Sequence, residues 1–296
     1  MTFDHCPLCK HPNTEPYLTA TDFTVSSERF HINRCPNCTA LFTQNPPDES
    51  QIGPYYESDQ YVSHSENKSG IINYLYHQVK KFNIRKKFNL VSAYTNGINV
   101  IDYGCGTGDF LSFCATKGWH AQGYEINDLA RTKANRNLKI TVASPEKLDE
   151  YPTGQANVIT LWHVLEHIYP IHSLIKTLKN KLDDNGILVI AVPNPNSFDA
   201  LHYQEFWAAY DVPRHLYHFT PRSLEALMVQ HGFTRIHTHP MRFDSYYVSL
   251  LSEKYKSQGK ITLLGLITGF ITGLRSNIRA YKKPTYSSQI YVFQKS

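Results

Sequence analysis

Long apolar runs are missing from this 296-residue sequence. The longest predominantly apolar stretch without a charge, 261–274, has 14 residues, short of the ~20 needed to cross a bilayer as a helix. A spanning segment is therefore not expected. The opening Met-Thr-Phe-Asp-His-Cys lacks the basic and apolar regions of a secretory signal, which leads to the expectation of a cytoplasmic protein. Its six cysteines should then be thiols or metal ligands. Acidic residues are absent after Glu253, whereas 254–296 carries eight basic side chains; residues 1–60 show the reverse, three basic against eight acidic. Composition is otherwise ordinary, 41% hydrophobic and 19% charged, which excludes disordered, collagenous and coiled-coil chains. The length predicts about two structural units.

Four cysteines fall as Cys6-Pro-Leu-Cys9 and Cys35-Pro-Asn-Cys38, the spacing of a zinc ribbon. Two such turns complete a closed tetrahedral site of four thiolates, the structural kind with no open position for chemistry. A head of this size buries too little surface to fold unaided, so metal binding would supply the missing free energy. A redox pair would need a single C-x-x-C beside a βαβ pattern, which is absent. Ribbons often suggest nucleic acid, but this acidic head would repel phosphates. Cys105 and Cys114 are expected to be free.

The strongest motif is Asn99-Val-Ile-Asp102-Tyr-Gly104-Cys105-Gly106-Thr107-Gly108-Asp-Phe110. An apolar strand ends in an acid, turns through three alternating glycines and enters a helix, leaving N–H groups aimed at a ligand. A second strand, 120–125, ends in Glu125, 21 residues after Gly104 and placed to accept two ribose hydroxyls. Together these make a nucleoside-cofactor site. The G-x-G-x-x-G spacing of a dinucleotide site and the Gly-Lys-Ser/Thr of a P-loop are both absent, which disfavours an NAD-linked oxidoreductase and a nucleotide triphosphatase.

The segment Asp102–Gly108 resembles motif I of the class I S-adenosylmethionine-dependent methyltransferases. That resemblance implies a Rossmann-like α/β fold, a doubly wound seven-stranded sheet with the zinc ribbon as a small N-terminal addition. It also implies that the glycine loop holds the methionyl end, that Asp102 faces its ammonium and that Glu125 clamps the ribose. Ser144, after a third strand, stands where the family often has an Asp beside the adenine. Tyr61, His64, Cys105, Thr107, Phe110, Ile126, Trp162 and His163 complete the expected S-adenosyl-L-methionine site. Trp162-His163-Val-Leu-Glu166-His167 and Arg214-His215-Leu-Tyr-His218-Phe-Thr-Pro221, with the ribbon, look most like the methyltransferase 23 group, described as similar to the ubiquinone-pathway O-methyltransferase.

Methyl transfer to a hydroxyl requires alignment and removal of a proton. Histidine titrates in the right range, and His163, His167 and His215 are the candidate bases, with His215 facing substrate and His163 touching the cofactor. His218 is a fourth candidate. Trp162 and Tyr210 also read as core aromatics, and Asn194, past the fifth strand, reads as a substrate-side group. The acceptor is expected to be a small molecule, a saccharide or lipid-linked; the alternative is an RNA methyltransferase with a zinc-binding head.

The organisation expected is a head over 1–45, a linker and helical cover over 46–95, the methyltransferase domain over 96–253, a basic and apolar helical insertion over 254–285, and a last strand over 286–296. In the insertion Leu263, Leu264, Leu266, Ile267, Phe270, Ile271 and Leu274 share one arc, with Gly265, Gly269 and Gly273 opposite. The arc suggests peripheral contact with the inner membrane face, or packing on the domain, and the glycine face suggests helix pairing in a homodimer.

Overall fold

The computed structural model describes residues 3–57, 71–137 and 140–296, with 71–79 and 137 described by backbone alone. The cofactor positions expected at Tyr61 and His64 lie outside the described residues. The chain opens with β1 (Glu15–Thr21), β2 (Arg29–Arg34) and β3 (Leu41–Thr43), an antiparallel meander. One C-x-x-C turn precedes β1 and the other joins β2 to β3. Both turns use the same bonds: Cys6 N–H to His11 O and Lys10 N–H to Cys6 O in one, Cys35 N–H to Ala40 O and Thr39 N–H to Cys35 O in the other. The repeated geometry aims both pairs of thiols at one point.

After α1 (Ile71–Ser92) the alternation runs β4 (Asn99–Tyr103), α2 (Asp109–Thr116), β5 (His120–Tyr124), α3 (Asp128–Asn137), β6 (Thr141–Ala143), β7 (Ala156–Trp162), α4 (Ile171–Lys181) and β8 (Leu182–Pro193). It continues through α5 (Phe198–Tyr203), β9 (Tyr217–His218), α6 (Pro221–Gln230), β10 (Phe233–Pro240), α7 (Asp244–Lys256), α8 (Leu263–Lys282) and β11 (Ser288–Lys295). Seven strands form one sheet in the order β10-β11-β8-β7-β4-β5-β6, with β11 antiparallel to both neighbours and the other pairs parallel. This is the Rossmann-like doubly wound sheet expected from the sequence. Its centre is β7 and β8, whose apolar runs are covered on both faces, as helix-flanked parallel strands must be.

Thr220-Pro221 predicts a helix start with an N-cap and a first-turn proline, and Thr220 does cap α6, its hydroxyl accepting from Ser223 N–H. The spacing of Ile171, Leu174, Ile175, Leu178 and Leu182 predicts a helix stopped at Asn185-Gly186. α4 ends earlier, at Lys181, because Leu182 already pairs with Ala156 of β7, and 183–186 bulge before the register resumes at Ile187.

The head is stitched to the large sheet rather than tethered beside it. β9 pairs antiparallel with β3, Leu41 opposite His218 and Phe42 opposite Tyr217, making a fourth strand for the head. Cys6, Leu8 and Phe42 share a single buried cluster with Leu216, Phe219 and Leu224. Arg214 of the loop before β9 is buried and pairs with Asp211 and with Asp22 of the head.

The expected insertion, 254–285, contributes one arm of a helical hairpin, and α7, most of which precedes it, contributes the other. α7 and α8 run antiparallel, with Gly269 against Leu250 and Gly273 against Tyr246, where a Cβ would meet backbone at 3.0 and 2.8 Å. The glycine face expected to pair helices across a dimer therefore pairs them within the chain, since only absent side chains allow this approach. Among the described residues no helix is long and apolar enough to cross a membrane.

Candidate active site

The described cofactor positions lie at or just beyond the carboxyl ends of the parallel strands, where open α/β sheets bind ligands. Gly104 and Gly106 both take positive φ, 74° and 55°, for different reasons. A Cβ on Gly104 would stand 2.3 Å from Val164 Cγ2, whereas nothing lies within 4 Å of one on Gly106. The first presses the loop against the end of β7; the second leaves bare backbone facing open space. Gly106 N–H donates to Glu125 Oε2 at 2.7 Å and Asn127 N–H to Oε1 at 2.9 Å. The carboxylate is thereby fixed, with further lone pairs for hydroxyl donors.

Asp102 is buried and accepts from Thr160 Oγ1 at 2.6 Å. Burial pushes its carboxyl up to about 7, against the opposing effects of the Thr160 bond and the Lys87 ammonium. Lys87 of α1 holds its Nζ 4.3 Å from the centroid of the Trp162 ring. Trp162 also meets Phe110 edge-on at 5.6 Å, and its Nε1 is buried without a partner among the described residues. Ile126 is exposed beyond β5, and Ser144 Oγ donates to Glu146 beyond β6. A fixed carboxylate, a buried carboxylate, an orphaned indole N–H and an open glycine cradle fit a cationic nucleoside cofactor.

A second cluster adjoins this pocket. His163, at φ 59°, directs its ring between two acids, with Nε2 3.2 Å from Asp244 Oδ2 and Nδ1 3.5 Å from Glu166 Oε1. Burial disfavours its charged form, but the facing carboxylates of Asp244 and Glu166 outweigh this and raise it to about 9. At neutral pH His163 is an imidazolium, with no lone pair to take a proton. Glu166 is 1% exposed; His163 is its ion-pair partner at 3.5 Å, and neither oxygen makes a hydrogen bond of ordinary geometry among the described residues. His215 Nε2 stands 4.0 Å from Glu166 Oε1.

The tautomers of the other two rings follow from their partners. His215 Nδ1 lies 2.9 Å from Ala209 O, and His167 Nδ1 lies 3.0 Å from Arg214 O. A carbonyl only accepts, so Nδ1 carries the hydrogen in both rings, and in the neutral form of each ring Nε2 is the nitrogen with the lone pair. Burial, and then the neighbouring His215, lowers His167 to about 4, which keeps it neutral. One donor atom from each of Glu166, His167 and His215 falls within 4.8 Å of the others. Such a set can take up a proton, and its donors are also of the type a divalent cation accepts.

In the head, Cys6 Sγ lies 3.6 Å from Cys38 Sγ, and Cys9 Sγ 3.6 Å from Cys35 Sγ. A tetrahedral ion with ~2.3 Å bonds to sulfur spaces its ligands about 3.8 Å apart. The four thiols fit that geometry.

The chain's likeness to known proteins decides the class of this site. The model of a methyltransferase domain, that of the methyltransferase 23 family, matches residues 75–238. The chain belongs to this family of S-adenosylmethionine-dependent methyltransferases. Among solved structures, the methyltransferase resembles magnesium protoporphyrin IX methyltransferase from Synechocystis PCC 6803, at 14% identity and TM-score 0.54 over 84% of this chain and 100% of that one. It also resembles geranyl diphosphate C-methyltransferase from Streptomyces coelicolor A3(2), at 12% identity and TM-score 0.51 over 85% and 91%. A third is a SAM-dependent methyltransferase from Archaeoglobus fulgidus, at 18% and 0.50 over 73% and 94%. At these identities the likeness is one of fold. No curated protein matches the sequence.

Several residues of the methyltransferase depart from their expected places. Asn194 is buried, with Nδ2 donating to Tyr286 O and Gln289 Oε1 and Oδ1 accepting from Asn196 N–H, so it ties loops together and is not open to a substrate. His218 is buried beside Thr43, whose hydroxyl donates to His215 O. Tyr210, by contrast, is the core aromatic that its sequence context also allows, edge-on to Trp207. Sequence reading missed Lys87, Asp244 and the role of the Glu166 carboxylate. The first two come from helices outside the motif-bearing loops, and no spacing signals them. Glu166 stood in a quoted motif, but its burial between His163 and His215 is visible only in three dimensions.

Proposed function

We propose that the methyltransferase moves the methyl of S-adenosyl-L-methionine to a hydroxyl of a small-molecule, saccharide or lipid-linked acceptor, with His215 taking the hydroxyl proton on Nε2. The observation that carries this reading is the geometry of His215: Nδ1 donates to Ala209 O, so in the neutral ring Nε2 is the nitrogen with the lone pair, 4.0 Å from the buried carboxylate of Glu166. Glu166 would stabilise the imidazolium that forms. The cofactor supplies a sulfonium methyl open to in-line attack. His163, already protonated between two acids, serves as a fixed positive group at the end of β7. The resemblance of the Trp162–His167 and Arg214–Pro221 segments, with the ribbon, to the methyltransferase 23 group, described as similar to the ubiquinone-pathway O-methyltransferase, favours a hydroxyl over nitrogen or carbon. In the head, the four thiolates hold a structural zinc ion. An acceptor screen with methyl-labelled cofactor tests the reaction: the label should appear as an ether, and label on carbon or nitrogen would overturn it.

Two binding results follow. Glu125→Ala should weaken S-adenosylmethionine by about 1–3 kcal/mol, the scale of hydrogen bonds to a charged group, and unchanged affinity by calorimetry would remove Glu125 from the site. Asp102 must be ionised to face the ammonium, and its free carboxyl sits at about 7. Affinity should therefore fall as pH drops below that point, approaching about ten-fold per unit, with a proton released on binding. Asp102→Asn should bind weakly with no such slope. A pH-independent affinity in the unmodified protein would show that the carboxylate does not meet the cation.

A further inference from the structure

α8 is built inside out. Its inward face carries the small residues Gly269, Thr272, Gly273, Ser276 and Ala280. Its large apolar side chains point away from the protein: Leu263 is 76% exposed, Leu264 71% and Phe270 55%, with Ile267, Ile271 and Leu274 also exposed. These span an arc of about 120° at 100° per residue. The helix cannot roll to hide them. Buried Asp199 accepts from Ser276 of α8, Ser287 and Trp207, and the glycine contacts with α7 set the helix rotation independently.

Contiguous exposed apolar area of this kind marks an interaction surface. Its chemistry is given by what surrounds it. Lys260 precedes the helix at the hairpin tip, Arg275 and Lys282 lie at the edge of the arc and Lys283 follows it, while no acidic residue occurs after Glu253. We propose that the outer face of α8 lies on an anionic lipid bilayer, apolar side chains in the acyl boundary and basic ones at the head groups. A second copy of the chain would set these cations against one another; anionic lipid neutralises them. The helix is not long and apolar enough to cross, so it lies in the surface plane.

Docking in this way also places the reaction. Asp244 opens α7, the other arm of the hairpin, and contacts His163, while the neighbouring Phe243 packs on Phe82 of α1 with both rings partly exposed. The use of this surface to collect a lipid-linked acceptor rests on the proposed reaction; the docking itself does not.

Vesicle flotation of the full chain is the test. The protein should float with vesicles of phosphatidylglycerol mixed with phosphatidylcholine at low salt, about ten-fold less with phosphatidylcholine alone, and little at high salt. Leu263→Glu combined with Leu264→Glu should lower flotation at least about ten-fold, with unchanged melting and cofactor binding because both side chains are exposed. Lys282→Ala with Lys283→Ala should lower it by about five-fold per charge removed. The proposal is overturned if the intact chain floats with no vesicle, or if the double glutamate variant floats as well as the parent. A dimer that the glutamates split, in a protein that does not float, would assign the face to a second copy instead. Flotation requires no turnover, so its failure would leave the proposed reaction standing.

Discussion

Replacing His215 by alanine is expected to lower turnover about 10²- to 10⁴-fold while leaving S-adenosylmethionine affinity within about two-fold, the pattern of a lost general base. The separation should be clean because the ring belongs to the loop before β9, whereas the cofactor residues belong to the β4–β7 edge. His215→Asn supplies the control. Its amide can keep the donor to Ala209 O yet cannot take up a proton, so it should be as inactive as the alanine variant but melt closer to the parent. The limb of the pH–rate profile that reports the base should disappear in both. Loss of cofactor affinity together with turnover would make His215 structural, and a full-rate alanine variant would end its role. Brief chelation gives an independent check. Turnover that collapses while any metal on the four cysteines is retained would transfer activation of the hydroxyl to a cation on Glu166, His167 and His215.

The second large effect concerns the head. Cys35→Ala removes one of four ligands and should abolish stoichiometric zinc, whose binding in small zinc domains is worth about 10–16 kcal/mol. The consequence should reach the active site, because Thr43 bonds His215 O, Thr43 N–H donates to Leu216 O, and Arg214 bridges to Asp22. Turnover should therefore fall with the metal, while cofactor binding in the large sheet survives. Metal analysis and calorimetry on one sample decide it. A full equivalent of zinc in the variant would place the ion elsewhere, and full turnover without zinc would show that the loop holds its shape unaided.

The parallel core was legible in the sequence for a physical reason. β4, β7 and β8 are short apolar runs bounded by turn residues, and glycine at 104 and 106 is required by local backbone geometry. The cysteine pairs were equally plain, since the repeated spacing encodes a repeated turn. Contacts between elements distant in the chain were not legible. The pairing of β9 with β3 joins residues 41–43 to 217–218 through two short segments with no periodicity of their own. The amphipathic pattern of α8 was seen, but its direction was not: periodicity separates two faces of a helix without telling which one turns inward. That needed Asp199 and the partner helix α7. Lys87 and Asp244 were invisible for the same reason, being brought to the site by packing rather than by a loop motif.

The shared strand has a consequence for how the polypeptide could be divided. A chain begun at residue 46 would keep every residue of the glycine loop, yet leave Tyr217 and His218 with no neighbour to accept or donate along their backbone. The apolar flank formed by Leu216, Tyr217 and Phe219 would face water beside an open strand edge, the arrangement that invites edge-to-edge association. The ribbon is thus a fold-completing lid on that edge, and trimming it to obtain a minimal enzyme should yield an aggregating one.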